Sequence, residues 1–158
     1  MASDALETLN SLIVPLREQS LLLPNVAVAE LVGFRLSEAV SHGPDWFLGW
    51  TLWRDQQVPM VDLDVLMGST AAVPEAQPRT LILNALGGTP GVHFIGLRVW
   101  GIPRSRKLQR ADLTSTGAAD SWTLQQVSLS DEPEDLLIPD LQALEQALEQ
   151  AGLLRRAG

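Results

Sequence analysis

The sequence predicts a mainly β protein built from small antiparallel barrels, and three observations carry that expectation. Short runs of leucine, β-branched and aromatic residues recur along the chain, with glycine, proline or polar clusters between them. A parallel α/β sheet would need crossover helices, and the sequence between these runs holds no room for them. One convincing amphipathic stripe occurs, and it lies near the end of the chain.

Taken in order, residues 1–10 read as an N-terminal arm, because the apolar pattern around Leu6 and Leu9 is too short for a helix that is stable without packing. Residues 11–16 and 20–31 read as two strands joined by a tight turn at Arg17, Glu18 and Gln19. Trp46, Leu48, Trp50 and Leu52 alternate, which places them on one face of an extended strand. Arg54, Asp55, Gln56 and Gln57 turn the chain, and residues 58–61 return it as a hairpin. Asp62 is placed to cap a short helix over residues 63–67, and Gly68 to end it in a left-handed conformation. Residues 69–78 carry two prolines and little periodicity, so they read as the connection between two lobes.

A second hairpin follows, with strands at 80–85 and 93–100 around the glycine-rich turn at 87–91. Residues 122–129 and 136–138 read as further strands. Asp140 then opens a helix in which Leu141, Leu144, Leu148 and Ala151 share one face, Glu145 and Glu149 point away, and Gly152 offers the stop.

With 158 residues and 46% apolar composition, the chain suits one compact domain or two lobes around one core. It has no cysteine, which excludes disulfides, thiolate metal sites and cysteine nucleophiles and fits a cytoplasmic location. A formal charge of -8 repels phosphate backbones and anionic lipid, and nowhere do about 20 apolar residues run together. Nucleic acid and membrane insertion are therefore not expected, and a protein partner is.

Motifs for catalysis are missing. His42 and His93 have no spacing that gathers ligands and read as surface or turn residues, so no metal site is expected. Asp62 and Asp64 flank a helix start, where capping and the helix dipole explain both. The glycines at 87–91 precede a strand rather than a helix, unlike a phosphate loop, so no cofactor is expected. No serine nucleophile motif occurs, which leaves a small-molecule hydrolase as a weak reading beside a stand-alone protein- or ligand-binding barrel. The basic residues between Arg104 and Arg110 read as a solvated loop, with an acidic protein face as the alternative. Of five tryptophans, most are expected in the core; Trp53, beside Arg54 at the hairpin turn, is the candidate for an exposed interface anchor.

The string from Pro44 to Gly68, with Trp46, Gly49, Arg54, Pro59, Asp62 and Leu63 at fixed spacing, resembles the hallmark of CheW-like coupling proteins. Phe94 to Val99 resembles that family's hydrophobic-Gly-hydrophobic-x-Val element, with Trp100 where many members carry an acid. Leu23, Pro24 and Asn25, the element from Val28 to Leu31, and the ending Ile138, Pro139, Asp140 and Leu141 are similar to variants that accompany type IV pilus chemosensory systems.

The resemblance implies two side-by-side five-stranded barrels of the Src-homology-3 type around a shared apolar seam, spanning residues 11–158, with a short internal helix and a C-terminal helix. It implies a non-catalytic adaptor that binds the regulatory domain of a CheA-type histidine kinase, the cytoplasmic tip of a methyl-accepting chemoreceptor, and other CheW-like proteins. By position it implies partner contacts at Val28 and Glu30, which match the family's hydrophobic-x-Glu element, and at Arg54, its hairpin arginine. Asp55 departs from the glycine most members have there, and aspartate tolerates positive φ less well.

Overall fold

The computed structural model describes residues 8–40, 43–85, 93–117 and 119–152. His42, the glycine-rich turn at 87–91 and most of the expected arm lie outside these. Leu9 and Asn10, expected in the arm, instead open the first strand.

Two six-stranded sheets form. Sheet A takes β1 (Leu9–Pro15), β2 (Ser20–Pro24), β9 (Arg104–Leu108), β10 (Leu113–Gly117), β11 (Thr123–Leu129) and β12 (Leu136–Pro139), in the order β10-β11-β12-β2-β1-β9. Sheet B takes β3 (Val28–Gly33), β4 (Glu38–Ala39), β5 (Phe47–Trp53), β6 (Gln56–Val61), β7 (Arg79–Asn84) and β8 (Phe94–Val99), in the order β3-β7-β8-β6-β5-β4. Two helices complete the fold, α1 (Leu63–Leu66) and α2 (Leu141–Gln150).

The five-stranded closed barrels that were expected are thus open six-stranded sheets. The expected single strand over 20–31 divides in two, because Pro24 begins a single 3-10 turn at Asn25–Ala27 that carries the chain from sheet A to sheet B. The lobe boundary moves as well. Residues 69–78 connect α1 to β7 inside sheet B, where the intervening structure lets β6 and β8 pair in parallel at Met60↔Gly96 and Val61↔Leu97. The passages between sheets therefore fall at 25–27 and 100–103, and sheet B is one unbroken insertion into sheet A.

Core packing explains the leucine runs. In β2, Leu21 and Leu23 enter a core shared by both sheets, whereas Leu22 points the opposite way into a core that belongs to sheet A. In β7, Leu81 and Leu83 enter the shared core and Ile82 enters a core of sheet B with Trp53 and Val58. A strand buried on both faces has no reason to alternate, so it reads as a continuous apolar run.

A bulge in β5 between Phe47 and Gly49 breaks the alternation expected for Trp46, Leu48, Trp50 and Leu52. Phe47 and Trp50 meet edge to face in the shared core at 5.4 Å, Trp46 packs half-buried against it, and Leu52 stays 57% exposed. Gly49 sits at φ 133°, and a Cβ there would lie 2.2 Å from the Glu38 carbonyl oxygen, so only glycine lets β4 approach β5.

The two caps form as expected. Asp62 accepts from the Val65 amide at 3.2 Å and Asp140 from the Ala143 amide at 3.0 Å, while Gly68 and Gly152 take φ of 83° and 71° after their helices. Leu144 and Leu148 of α2 are buried in the shared core, with Leu141 at its margin. Ala151 is exposed, and Glu145, expected to face solvent with Glu149, is buried. Glu145 is one residue on from Leu144 and three short of Leu148, so it borders their stripe, and deep docking of α2 takes it in as well.

Replacing Leu144 by Ala leaves a cavity at 2% exposure and should cost about 2–5 kcal/mol. The urea midpoint should fall with an unchanged slope; coincident midpoints for mutant and parent would mean that α2 contributes nothing to the folded core.

Candidate interaction site and the buried charge cluster

By sequence alone, Asp62 and Asp64 are explained by capping and the dipole of a helix start. Both are almost wholly buried, and the structure gives them two arginines from opposite lobes. Arg17, in the β1–β2 turn of sheet A, reaches Asp62 Oδ2 at 2.7 Å. Arg98, on β8 of sheet B, reaches the same oxygen at 2.5 Å. The Arg17 backbone N–H donates to Asp64 at 3.2 and 3.3 Å, and the Arg17 side chain also donates to the Ala71 carbonyl at 3.2 Å. Glu18 accepts from Ser69 Oγ at 3.0 Å beside it. Arg98 is held between rings, with Phe34 at 5.6 Å and Trp100 at 5.1 Å, which gives the family departure at Trp100 a physical role.

Burial pushes the Asp64 carboxyl above the usual carboxylate range, against the Arg17 amide that favours its charged form; the neighbouring Asp62 charge adds to the rise. Nothing in the sequence pairs Arg17 with Asp62, since they lie 45 residues apart and only the packing of the two lobes joins them.

Val28, Glu30 and Arg54, which the family resemblance implies, and Trp53, the candidate anchor, all lie on sheet B or its β5–β6 turn. Trp53 Nε1 donates to Glu30 Oε1 at 2.7 Å, and the Arg54 guanidinium sits over the Trp53 ring at 4.5 Å. Trp53 packs edge to face with Phe94 at 4.6 Å. It is buried, at 7% exposure, which corrects the expectation of an exposed anchor: its ring fills the private core of sheet B and only its neighbours Glu30 and Arg54 are exposed. Glu30 and Arg54 are therefore surface charges aligned by one buried ring. Val28 stands half-buried at the start of β3, opposite Leu83, on the margin of the shared core.

Arg54 and Asp55 take φ of 48° and 63°. Two consecutive left-handed residues make the two-residue hairpin turn that suits the twist of β5 and β6, so Asp55 keeps the turn shape that glycine would give.

The basic stretch is not a solvated loop. Residues 104–108 form edge strand β9, and its arginines reach the acids that follow β11: Arg104 to Glu132 at 3.2 Å, and Arg106 to Glu132 at 3.2 Å and to Asp131. Asp131 is held below the usual carboxylate range by the Arg106 hydrogen bond. Asp131 and Glu132 sit in the chain between β11 and β12, where the sheet curls back to face β9. Among the described residues no three His, Asp or Glu side chains gather as a metal site, and no helix is long and apolar enough to cross a membrane. His93 is exposed beside Phe94.

Two curled, mostly antiparallel sheets thus share one core and meet at a buried charge cluster, an all-β framework with two short helical additions. Residues 10–149 match the model of the CheW-like domain, and the chain belongs to that family. Among solved structures it is similar to the scaffolding protein TtCheW from Thermoanaerobacter tengcongensis, with a TM-score of 0.74 and 18% identity over 93% of this chain and 99% of that one. No curated protein matches it.

Two consequences of the charge cluster are measurable. Asp62→Ala strands two arginines in the interior and should cost about 3–5 kcal/mol, whereas loss of the exposed Asp131 carboxylate should cost far less; equal losses in denaturant titrations would remove Asp62 from its central place. For Asp64 the sign follows from its raised folded value. The fold binds that proton more tightly than the unfolded chain, so the contribution is complete below the unfolded value and is lost as pH rises through the folded one. The stability of the parent minus that of Asp64→Asn should therefore shrink as pH rises above the ordinary carboxylate value and through the raised folded one. A difference that grows would show that Arg17 and Arg98 outweigh desolvation there.

Proposed function

We infer that this protein is a non-catalytic signalling adaptor that couples the cytoplasmic tips of chemoreceptors to the regulatory domain of a CheA-type histidine kinase in the cytoplasm. The observation that carries this reading is membership of the CheW-like family across nearly the whole chain. The arrangement of sheet B supports it. Glu30 and Arg54 are exposed, opposite in charge and held in place by Trp53, and Val28 lies on the same strand as Glu30. Charged groups fixed before a partner arrives lose less freedom on binding than mobile ones.

The finer reading is a chemosensory system of type IV pili, with twitching motility as output. Its support is the sequence around Pro24 and around Ile138 and Pro139. In the structure these segments are neighbours at the junction of the lobes, where both line a cavity of about 400 Å³ with Leu22, Leu124 and Leu141. Other CheW-like proteins are further partners in this reading.

The test is reconstitution of kinase autophosphorylation with receptor-bearing vesicles, using the kinase and receptor encoded beside this gene. The protein should make kinase activity depend on receptor and should itself hydrolyse no ATP; steady, protein-dependent turnover by the pure chain would sink the adaptor reading.

Arg54→Glu should fold with a stability loss no larger than a cation–π contact at an exposed site, about 0.5–1 kcal/mol. Its affinity for kinase or receptor should fall by about tenfold or more, as expected when one member of an interfacial charge pair is reversed. Calorimetric titration beside thermal melts reads both halves, and unchanged affinity for every partner takes Arg54 out of the interface.

A further inference from the structure

Sheet B curls until its two ends approach but leaves them unpaired. The first strand in the sheet order, β3, bonds to β7 on one side only. At the other end, β4 covers just Gly49 and Trp50 of β5, and the Ser37 amide adds one bond to the Trp50 carbonyl at 2.8 Å. The next outward-facing residue is Leu52. Trp50 is paired with Pro59, which has no N–H, so that pair is not hydrogen-bonded and neither is Leu52 with Gln57, two residues on. The N–H and C=O of Leu52 therefore point away from β6, toward an edge that β4 does not reach.

The side chains mark the same seam. Trp53 donates to Glu30 across it at one end. Beyond that bond the seam opens into a cavity of about 330 Å³ lined by Val32, Gly33, Arg35, Ser37, Leu52 and Trp53. A Cβ built on Gly33 would meet nothing within 4 Å.

Charge identifies the occupant. In a chain of net charge -8, Arg17, Arg98, Arg104 and Arg106 are held in ion pairs. Among the described residues, three arginines with no ion pair stand at or next to the seam instead: Arg35 in the cavity wall, Arg54 on the Trp53 ring, and Arg79 opposite Gly33 in the β3–β7 ladder. An uncovered strand edge, an apolar notch and cations at its rim are the features that recognise an extended peptide by strand addition.

We propose that the open seam between β3 and β5 binds an extended segment of a partner protein, which adds as a strand along Leu52, sets apolar side chains into the cavity and meets the arginines with acidic ones. The choice of a protein segment as occupant rests on the adaptor reading, but the two fail separately. Reconstitution with kinase and receptor decides that reading, and the experiment below needs neither.

The probe is a synthetic peptide of about seven residues that alternates valine and glutamate, titrated into the full chain while backbone amides are followed by NMR. The Leu52 amide should shift and gain protection from hydrogen exchange. Replacing the glutamates with lysine should weaken binding by about tenfold or more, and N-methylation of alternate backbone amides should abolish it. Leu52→Pro removes a donor that makes no bond within the sheet, so it should keep its melting transition and lose the peptide. Should that variant fail to fold, Arg35→Glu with Arg79→Glu gives the second reading, with about tenfold weaker binding expected. Absence of any response at Leu52, indifference to N-methylation, or equal affinity for the lysine peptide would each overturn the proposal.

Discussion

One carboxylate holds the two halves of this molecule in register. Asp62 receives Arg17 from one sheet and Arg98 from the other on the same oxygen, while its second oxygen caps α1. Each member alone would be costly to bury, and the cluster is tolerable because both guanidinium groups meet Asp62 at hydrogen-bond distance and the Arg17 backbone amide serves Asp64. Apolar contacts in the shared core supply adhesion without direction. The charge cluster supplies direction, since a small slide of one sheet past the other would leave a buried charge unanswered.

From that joint outward the design is symmetrical in principle and different in detail. Each sheet turns one face to the shared core and the other to a smaller core of its own. Each small core lies under a curl that hydrogen bonding between strands does not close. In sheet A arginines of β9 reach Asp131 and Glu132, and in sheet B Trp53 reaches Glu30. Side chains thus hold curls that a barrel would hold with backbone, and they leave edges that a barrel would not have.

The strands of the middle region were legible because turn chemistry and hydrophobic runs are local, and so were both helix caps, where Asp62 and Asp140 sit at the position their side chains require. The hallmark around Arg54 and Asp62 carried the family. Strands β4, β9 and β10 were not legible: the first has two residues, and the others are polar edge strands whose extended state depends on neighbours distant in sequence. The lobe boundary misled because proline-rich composition marks an exposed connection equally well inside a lobe or between lobes. Of the site, Val28, Glu30 and Arg54 follow from motif position, and Trp53 from its place beside an arginine at a turn. That Trp53 is buried, with its N–H on Glu30, follows from the curl of sheet B, which no local pattern encodes. Arg17 was read only as turn polarity, since a lone cation in a turn carries no mark of the acid it will meet.

The unbroken insertion of sheet B also orders events during synthesis. Residues 28–99 contain every strand of that sheet, so its hydrogen bonding can be completed as soon as β8 has left the ribosome. By contrast β1 and β2 emerge first and pair with each other, but their outer neighbours β9 and β12 come from the far side of the insertion. The amino-terminal hairpin must wait with Leu21, Leu22 and Leu23 uncovered while some seventy intervening residues fold. A hairpin that precedes the insertion in the chain is thus completed only after it, and for that interval it is open to chaperones and to misassembly.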